Sequence, residues 1–412
     1  MMKEYFENII SGIEERIRKD SENAGARMKY ALEVSRLGSR LYGGEGRVAW
    51  CGVLAPFDLL SAFGITSCYV EFVGASLASS GMAGPMLEAA EHDGYSPDAC
   101  GYHRAVIGAA SQGLLPAPDL LIATSCPCVA GVATMENLAH QFKKDLFILH
   151  IPQVENDVNV QYLADQLEEM VKFVAERTGQ NPSAARIAET ISLSNKTRDL
   201  MVDIFRLACH IPTPIRTKDL RDFGIVMPLL SGTQAAVDLA EAFRDQLSDR
   251  VKTGKGGIAD ERLRLLWIQN RIQFKNPLEK FLEEEHKAVI VIDELNSITW
   301  EPIDPMNPFP GIARRMISSP FAVNIEARCD HLKKLALEYK VDGVVNPCHW
   351  GCRQGTGARG LFADSFRQID LPVLNLEVDC IDVRNFSEGQ LKTRLGAFCE
   401  MLSQRPRPSE AR

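Results

Sequence analysis

Two apolar runs, far apart in this chain, each lead into a pair of thiols. Leu120-Leu-Ile-Ala-Thr124 runs into Ser125-Cys126-Pro-Cys128, and Val341-Asp-Gly-Val-Val345 runs into Asn346-Pro-Cys348-His-Trp-Gly-Cys352. Short apolar runs bounded by Pro, Gly and Asn read as buried strands. Cys51 lies within another such run, Val48–Leu54, and Cys100 precedes a helical segment at His103–Gln112. Thiols at strand ends constrain the fold, because open parallel sheets bind ligands in the crevice at the carboxyl ends of their strands. If two halves of the chain face each other, Cys126, Cys128, Cys348 and Cys352 converge on one cleft. Cys51 and Cys100 join them from the first half.

The rest of the pattern is strand alternating with helix, the signature of parallel sheets covered by helices on both faces. In the first half the expected strands are Val48–Leu54, Ser67–Val73, Leu120–Thr124 and Asp145–Ile151. In the second they are Arg262–Trp267, Ala288–Ile292, Val341–Val345 and Leu371–Leu376, with a helix after the first of these reaching Phe281. Residues 158 to 250 are mostly helical, with Val158–Thr178 and Ser183–Arg206 as the clearest segments. Apolar residues at helical spacing (Phe6, Ile9, Ile13, Ile17) make the N-terminus a helical arm. The expected organisation is therefore a helical arm at 1–45, a first α/β domain at 46–157 and a helical region at 158–260. A second α/β domain follows at 261–404, then a disordered tail at 405–412. The fold class is α/β: two Rossmann-like parallel-sheet domains with a helical domain or insertion.

A chain of 412 residues suits two or three domains. With 45% hydrophobic and 24% charged residues it has a globular composition. A net charge of −8 argues against broad nucleic-acid binding, which needs a basic face. No apolar run is long enough to span a membrane, and the N-terminal stretch lacks a signal-peptide core, so a cytoplasmic protein is expected.

Eleven cysteines in a reducing compartment are there for packing, metal binding or redox chemistry. Cys68, Cys209, Cys329, Cys380 and Cys399 sit in plain strand or helix patterns and read as packing residues. The six at strand and loop boundaries read as soft ligands for iron–sulfur clusters, zinc or copper(I). Structural zinc sites gather their cysteines in compact knuckles. Here the pairs are distant and two thiols are left over. Thr253-Gly-Lys-Gly-Gly257 only imitates a phosphate loop: it lacks the preceding strand, the four-residue spacer and the following Ser or Thr.

The C-terminal region carries a family resemblance. Leu371-Pro-Val-Leu-Asn-Leu-Glu-Val-Asp379 is followed by Asp382-Val-Arg384, Ser387-Glu-Gly-Gln390 and Lys392-Thr-Arg394. Ala397-Phe398 and Glu400-Met-Leu402 come next, while Trp50-Cys-Gly-Val-Leu-Ala-Pro56 and Cys100-Gly-Tyr-His-Arg104 lie upstream. With these features the chain resembles the 2-hydroxyacyl-CoA dehydratase and benzoyl-CoA reductase family of iron–sulfur proteins, over residues 46 to 402 and most weakly between 160 and 250.

The resemblance implies a cluster between two α/β domains. In the single-cubane members three cysteines hold one [4Fe–4S] cluster, and the matching positions are Cys100, Cys126 and Cys348. This chain adds Cys51, Cys128 and Cys352, with Cys68 in reserve. A set of six suits the double-cubane [8Fe–9S] branch, whose members resemble homodimers, and that branch is the preferred expectation. The resemblance also implies an ATP-hydrolysing, homodimeric iron–sulfur activator as electron donor and a small-molecule substrate. His103 and His349, beside ligand cysteines, are the candidate proton donors. Arg104, Arg353 and Arg359 are candidates to hold an anionic ligand or to form ion pairs with carboxylates such as Glu377 and Asp379, and Asp379 and Asp382 read as scaffold. Two alternatives stand beside this reading. One is a single-cubane subunit of a coenzyme A-dependent dehydratase or reductase, paired with a sister subunit. The other is a non-catalytic α/β binding protein, metal-free or holding zinc.

Overall fold

The apolar runs form two parallel sheets of four strands each. The computed structural model describes residues 2–19 and 25–405. In the first sheet β1 (Val48–Cys51), β2 (Thr66–Tyr69), β3 (Leu120–Thr124) and β4 (Leu146–Leu149) lie in the order β2-β1-β3-β4. In the second, β5 (Leu263–Trp267), β6 (Ala288–Asp293), β7 (Gly343–His349) and β8 (Val373–Val378) lie in the order β6-β5-β7-β8. All pairings are parallel. β1, β3, β5 and β6 are buried along their whole length, which is why they read as continuous apolar runs rather than alternating ones. In each sheet the chain order reverses beside the first strand, between β1 and β3 and between β5 and β7. Such a reversal leaves a crevice at the carboxyl ends of the strands.

Three local expectations are corrected. Val70–Val73 does not continue β2 but opens the helix Val70–Ser79. Its β-branched and aromatic residues suit a strand, yet packing against the helix Gly101–Ser111 decides for helix. The stretch after β5 is not a helix: Gln269 has a left-handed backbone (φ 61°), and the first helical turn begins only at Leu278. β7 runs past Val345 through Cys348 to His349, so Cys348 is a strand residue paired with Glu377.

Helices Asp157–Thr178, Ala184–Ala208, Thr217–Val226 and Gln234–Lys252 lie between the two sheets in sequence. Asn156, Ser183 and Thr233 cap three of them by accepting a backbone N–H. Thr253–Gly257 is a turn after the last, with a helix rather than a strand before it. The N-terminal helices Met2–Lys19 and Ala26–Tyr42 form a hairpin in which Gly38 abuts the Phe6 ring. The helix Pro308–Ile317 packs into the core of the first sheet with Leu163, Leu167 and Met170, although it follows β6 in sequence. Of the expected tail only Arg405 lies within the described residues, where it pairs with Asp370. No helix among the described residues is long and apolar enough to cross a membrane.

Arg104 ties the two halves together. Its buried guanidinium lies 2.6 Å from Glu91, 3.6 Å from Asp379 and 3.5 Å from Asp382. Arg384 closes the network onto Glu91 and Asp382. Asp379 also accepts the backbone N–H groups of Ile381 and Asp382, both at 2.9 Å, which makes it scaffold.

Candidate functional site

The carboxyl ends of both sheets surround a cavity of ≈ 330 Å³. Val53 and Leu54 reach it from the end of β1, Glu71 from β2, and Pro127 and Cys128 from β3. Gln269 and Asn270 reach it from β5, Glu294 from β6, and Cys352 and Gln354 from β7. Phe57, Phe72, Met201, Met227, Ile298 and Phe321 make much of its wall apolar.

Three thiols line it: Cys100, Cys128 and Cys352. Each immediately precedes a helical turn, Gly101–Ser111, Val129–Phe142 and Arg353–Thr356 respectively. Each sulfur therefore faces backbone N–H groups of the first helical turn: Tyr102 and His103 at Cys100, Ala130 and Gly131 at Cys128, Gln354 and Gly355 at Cys352. Such groups favour a thiolate. Burial works against them and wins. It pushes all three thiols up, Cys128 to about 11, and the neighbouring thiols add to the rise at Cys100 and Cys128. A cation bound at these sulfurs would hold them as thiolates. The arginines on the wall are already engaged, Arg198 with Asp199 and Glu301, Arg315 with Asp58.

Gly351 brings Cys352 close to Cys100. Its backbone is left-handed (φ 74°), and a side chain there would collide with the Ala99–Cys100 backbone. Gln354 Nε2 donates to the Pro127 carbonyl across a cis Cys126–Pro127 peptide, joining the Cys352 and Cys128 loops.

The other three expected ligands are elsewhere. Cys51 is fully buried in β1 with its sulfur 3.8 Å from the Ala49 carbonyl, opposite Tyr69 on β2. The Cys126 sulfur lies 3.8 Å from the Ile151 carbonyl. The Cys348 sulfur sits between Asn346 and Asn375, at 3.5 and 3.7 Å. None of these three lines the cavity. Six thiols are thus not brought into one shell, and of the set Cys100, Cys126 and Cys348 only Cys100 reaches the cavity. The parity of a strand explains this. Once β7 extends to His349, Cys348 points with Asn346 into the sheet packing, and the residue that turns into the crevice is Cys352.

His103 does line the cavity, with Nε2 3.8 Å from the Cys128 sulfur and Nδ1 without a partner. Burial lowers it to about 4, so it is neutral at pH 7. His349 does not line it. Its ring is fully buried behind Cys100, which removes it from the position of a proton donor to a bound molecule. Arg359 forms an exposed pair with Glu377 at 2.9 Å, and Arg353 is exposed.

Two residues of the cavity escape a reading of the sequence. Glu71 Oε2 is buried without a partner, and burial raises the carboxyl to about 7. A methyl group on Gly131 would sit 3.7 Å from Glu71 Oε1, 3.8 Å from the His103 ring and 3.9 Å from the Cys128 sulfur, so these three groups surround one small space. The signal for Glu71 is a lone acid in the apolar run Val70-Glu-Phe-Val73. Gln269 Nε2 is likewise buried without a partner, while Oε1 lies 3.9 Å from the Cys352 sulfur.

Three thiols, two of them just past strand ends and one before the helix Gly101–Ser111, with unpartnered polar atoms beside them, fit a polynuclear metal–sulfur group. Among the described residues no three His, Cys, Asp or Glu side chains are close enough to hold one metal ion. A cluster does not require that, because each sulfur binds its own iron. The family model for "2-hydroxyglutaryl-CoA dehydratase, D-component" matches residues 53–402.

This chain belongs to that family.

Its relatives include the (R)-phenyllactyl-CoA dehydratase alpha subunit of Clostridium sporogenes, 25% identical over 90% of this chain and 92% of the relative. A benzoyl-CoA reductase subunit of Thauera aromatica is 25% identical over 78% of this chain and 81% of its own. The (R)-2-hydroxyisocaproyl-CoA dehydratase alpha subunit of Clostridioides difficile is 23% identical over 88% and 91%. As a family member the chain is an enzyme of the dehydratase or reductase type.

Proposed function

We propose that this chain is the catalytic component of a 2-hydroxyacyl-CoA dehydratase or aryl-CoA reductase type enzyme, holding one [4Fe–4S] cluster on Cys100, Cys128 and Cys352. The observation that carries this reading is the convergence of those three thiols, each at the N-terminus of a helical turn, on one largely apolar cavity. When bound, such a cluster supplies low-potential electrons and one iron with an open coordination position. The chain's own residues do the rest. Phe57, Phe72, Met201 and Phe321 keep water from the reacting end of the substrate. Gln269 offers two N–H donors to an acceptor oxygen or sulfur in the cavity. Glu71 holds a proton near neutrality within reach of the same space and is the acid or base of the reaction. Electrons come from a separate ATP-hydrolysing activator. The relatives are themselves named as subunits, two of them alpha subunits, which supports a second, sister chain, with a homodimer as the other arrangement.

Iron and acid-labile sulfide in protein purified without air test the reading. About four irons per chain are expected. About eight would restore the double-cubane expectation, and none would overturn both. Cys128→Ser and Cys352→Ser each lose most of the iron, whereas Cys126→Ser and Cys348→Ser keep it.

A further inference from the structure

We propose that His349 is a positioning residue that holds an N–H against the Cys100 sulfur and so raises the reduction potential of a cluster bound there. This rests on the assignment of Cys100 as a cluster ligand. The His349 ring is fully buried, and its Nδ1 accepts the backbone N–H of Cys380 at 2.9 Å. A backbone N–H can only donate, so Nδ1 carries no proton. A neutral imidazole must then carry its proton on Nε2, and Nε2 lies 3.4 Å from the Cys100 sulfur. Asp379 Oδ1 is 3.6 Å from Nδ1, but it is already occupied by the N–H groups of Ile381 and Asp382. Tyr102 packs edge-on at 5.4 Å, which fixes the plane of the ring. The ring is thus held with Nε2 against the sulfur, the Val378 carbonyl being the other acceptor beside it.

A hydrogen bond to a ligand sulfur stabilises the more negative, reduced form of a cluster. Its strength depends on a ring that is held from behind, so the Cys380 contact matters as much as the one to Cys100. The sequence spacing of His349 and Cys352 conceals this, because His349 serves a thiol some 250 positions upstream rather than its neighbour.

His349→Leu removes the donor at similar volume, and His349→Gln returns an N–H₂ at about the same reach. Both are purified without air, assayed for iron and sulfide, and titrated potentiometrically by electron paramagnetic resonance. The expected result is full cluster content with a lower midpoint in His349→Leu, by about tenfold in the one-electron equilibrium, or about 59 mV. His349→Gln recovers at least half of that shift. A midpoint in His349→Leu equal to wild type overturns the proposal and leaves the cluster assignment standing. Wild-type protein without a cluster overturns both. If His349→Leu fails to hold a cluster, pulsed resonance on reduced, ¹⁵N-histidine-labelled His103→Phe protein decides. Coupling to a protonated imidazole nitrogen supports the proposal, and its absence overturns it.

Discussion

Gln354 Nε2 donates to the Pro127 carbonyl at 2.7 Å, so the helical turn after Cys352 is fastened to the loop that carries Cys128. Behind it, Arg328 donates to both the Gln354 backbone and side-chain oxygens and forms a bidentate pair with Glu294. Two thiols from different sheets are thereby held in register by one carboxamide.

Gln354→Ala cuts that fastening. The Pro127 carbonyl and one Arg328 N–H lose their partner, at a cost of about 1–3 kcal/mol. Urea denaturation of the metal-free protein measures the loss. In the loaded protein, iron dissociates faster than in wild type, whereas a Gln368→Ala control on the exposed surface leaves the rate unchanged.

Gly351→Ala attacks the Cys100–Cys352 approach. The left-handed backbone costs a residue with a side chain about 1–2 kcal/mol, and the new methyl collides with Ala99–Cys100. Iron content falls well below wild type. Gly360→Ala, at a position with open space around it, retains full iron.

What the sequence made legible was the positions of the eight strands, because buried parallel strands are apolar throughout and Gly, Pro and Asn mark their ends. The direction of each sulfur was less legible. Cys126 and Cys128 lie two positions apart, as do Asn346 and Cys348, and which thiol faces the cleft depends on the residue at which the strand stops. A strand that ran on past its expected end was enough to turn Cys348 away. Glu71 was hidden because Val70-Glu-Phe-Val73 suits a strand as well as a helix, a short apolar run being ambiguous between them. Gln269 was hidden by an expected helix that its left-handed backbone forbids.

Asp58 and Arg315 give a pH dependence that does not involve the thiols. Burial pushes the Asp58 carboxyl up, but the Arg315 charge and its two hydrogen bonds, at 2.6 and 2.9 Å, outweigh this and hold it below the usual range. Its folded pKa is thus below its unfolded value of about 3.9. The pair's contribution is complete above that value and is lost as pH falls through the folded one. Asp58→Asn leaves Arg315 without its counter-charge and costs about 3–5 kcal/mol at pH 7. Urea denaturation across pH 3 to 7 checks both: the difference between wild type and variant shrinks toward the acid end.

Glu71→Gln separates the proton from the electrons. Iron content and the cluster spectrum stay at wild-type levels, because Glu71 binds no metal in this reading. Turnover of the thioester that the wild type converts, with activator and ATP supplied, falls about 10²–10⁴-fold. Stability of the metal-free protein carries an independent signature. The folded protein keeps the Glu71 proton up to about pH 7, whereas the unfolded chain releases it near the ordinary glutamate value of about 4.3. Between those limits the folded state binds more protons, so stability falls as pH rises. Glutamine removes that slope. Relative to wild type, Glu71→Gln therefore gains stability between pH 5 and 8 when followed by urea denaturation. A constant difference across that range would mean that Glu71 is already ionised in the fold and is not the proton carrier.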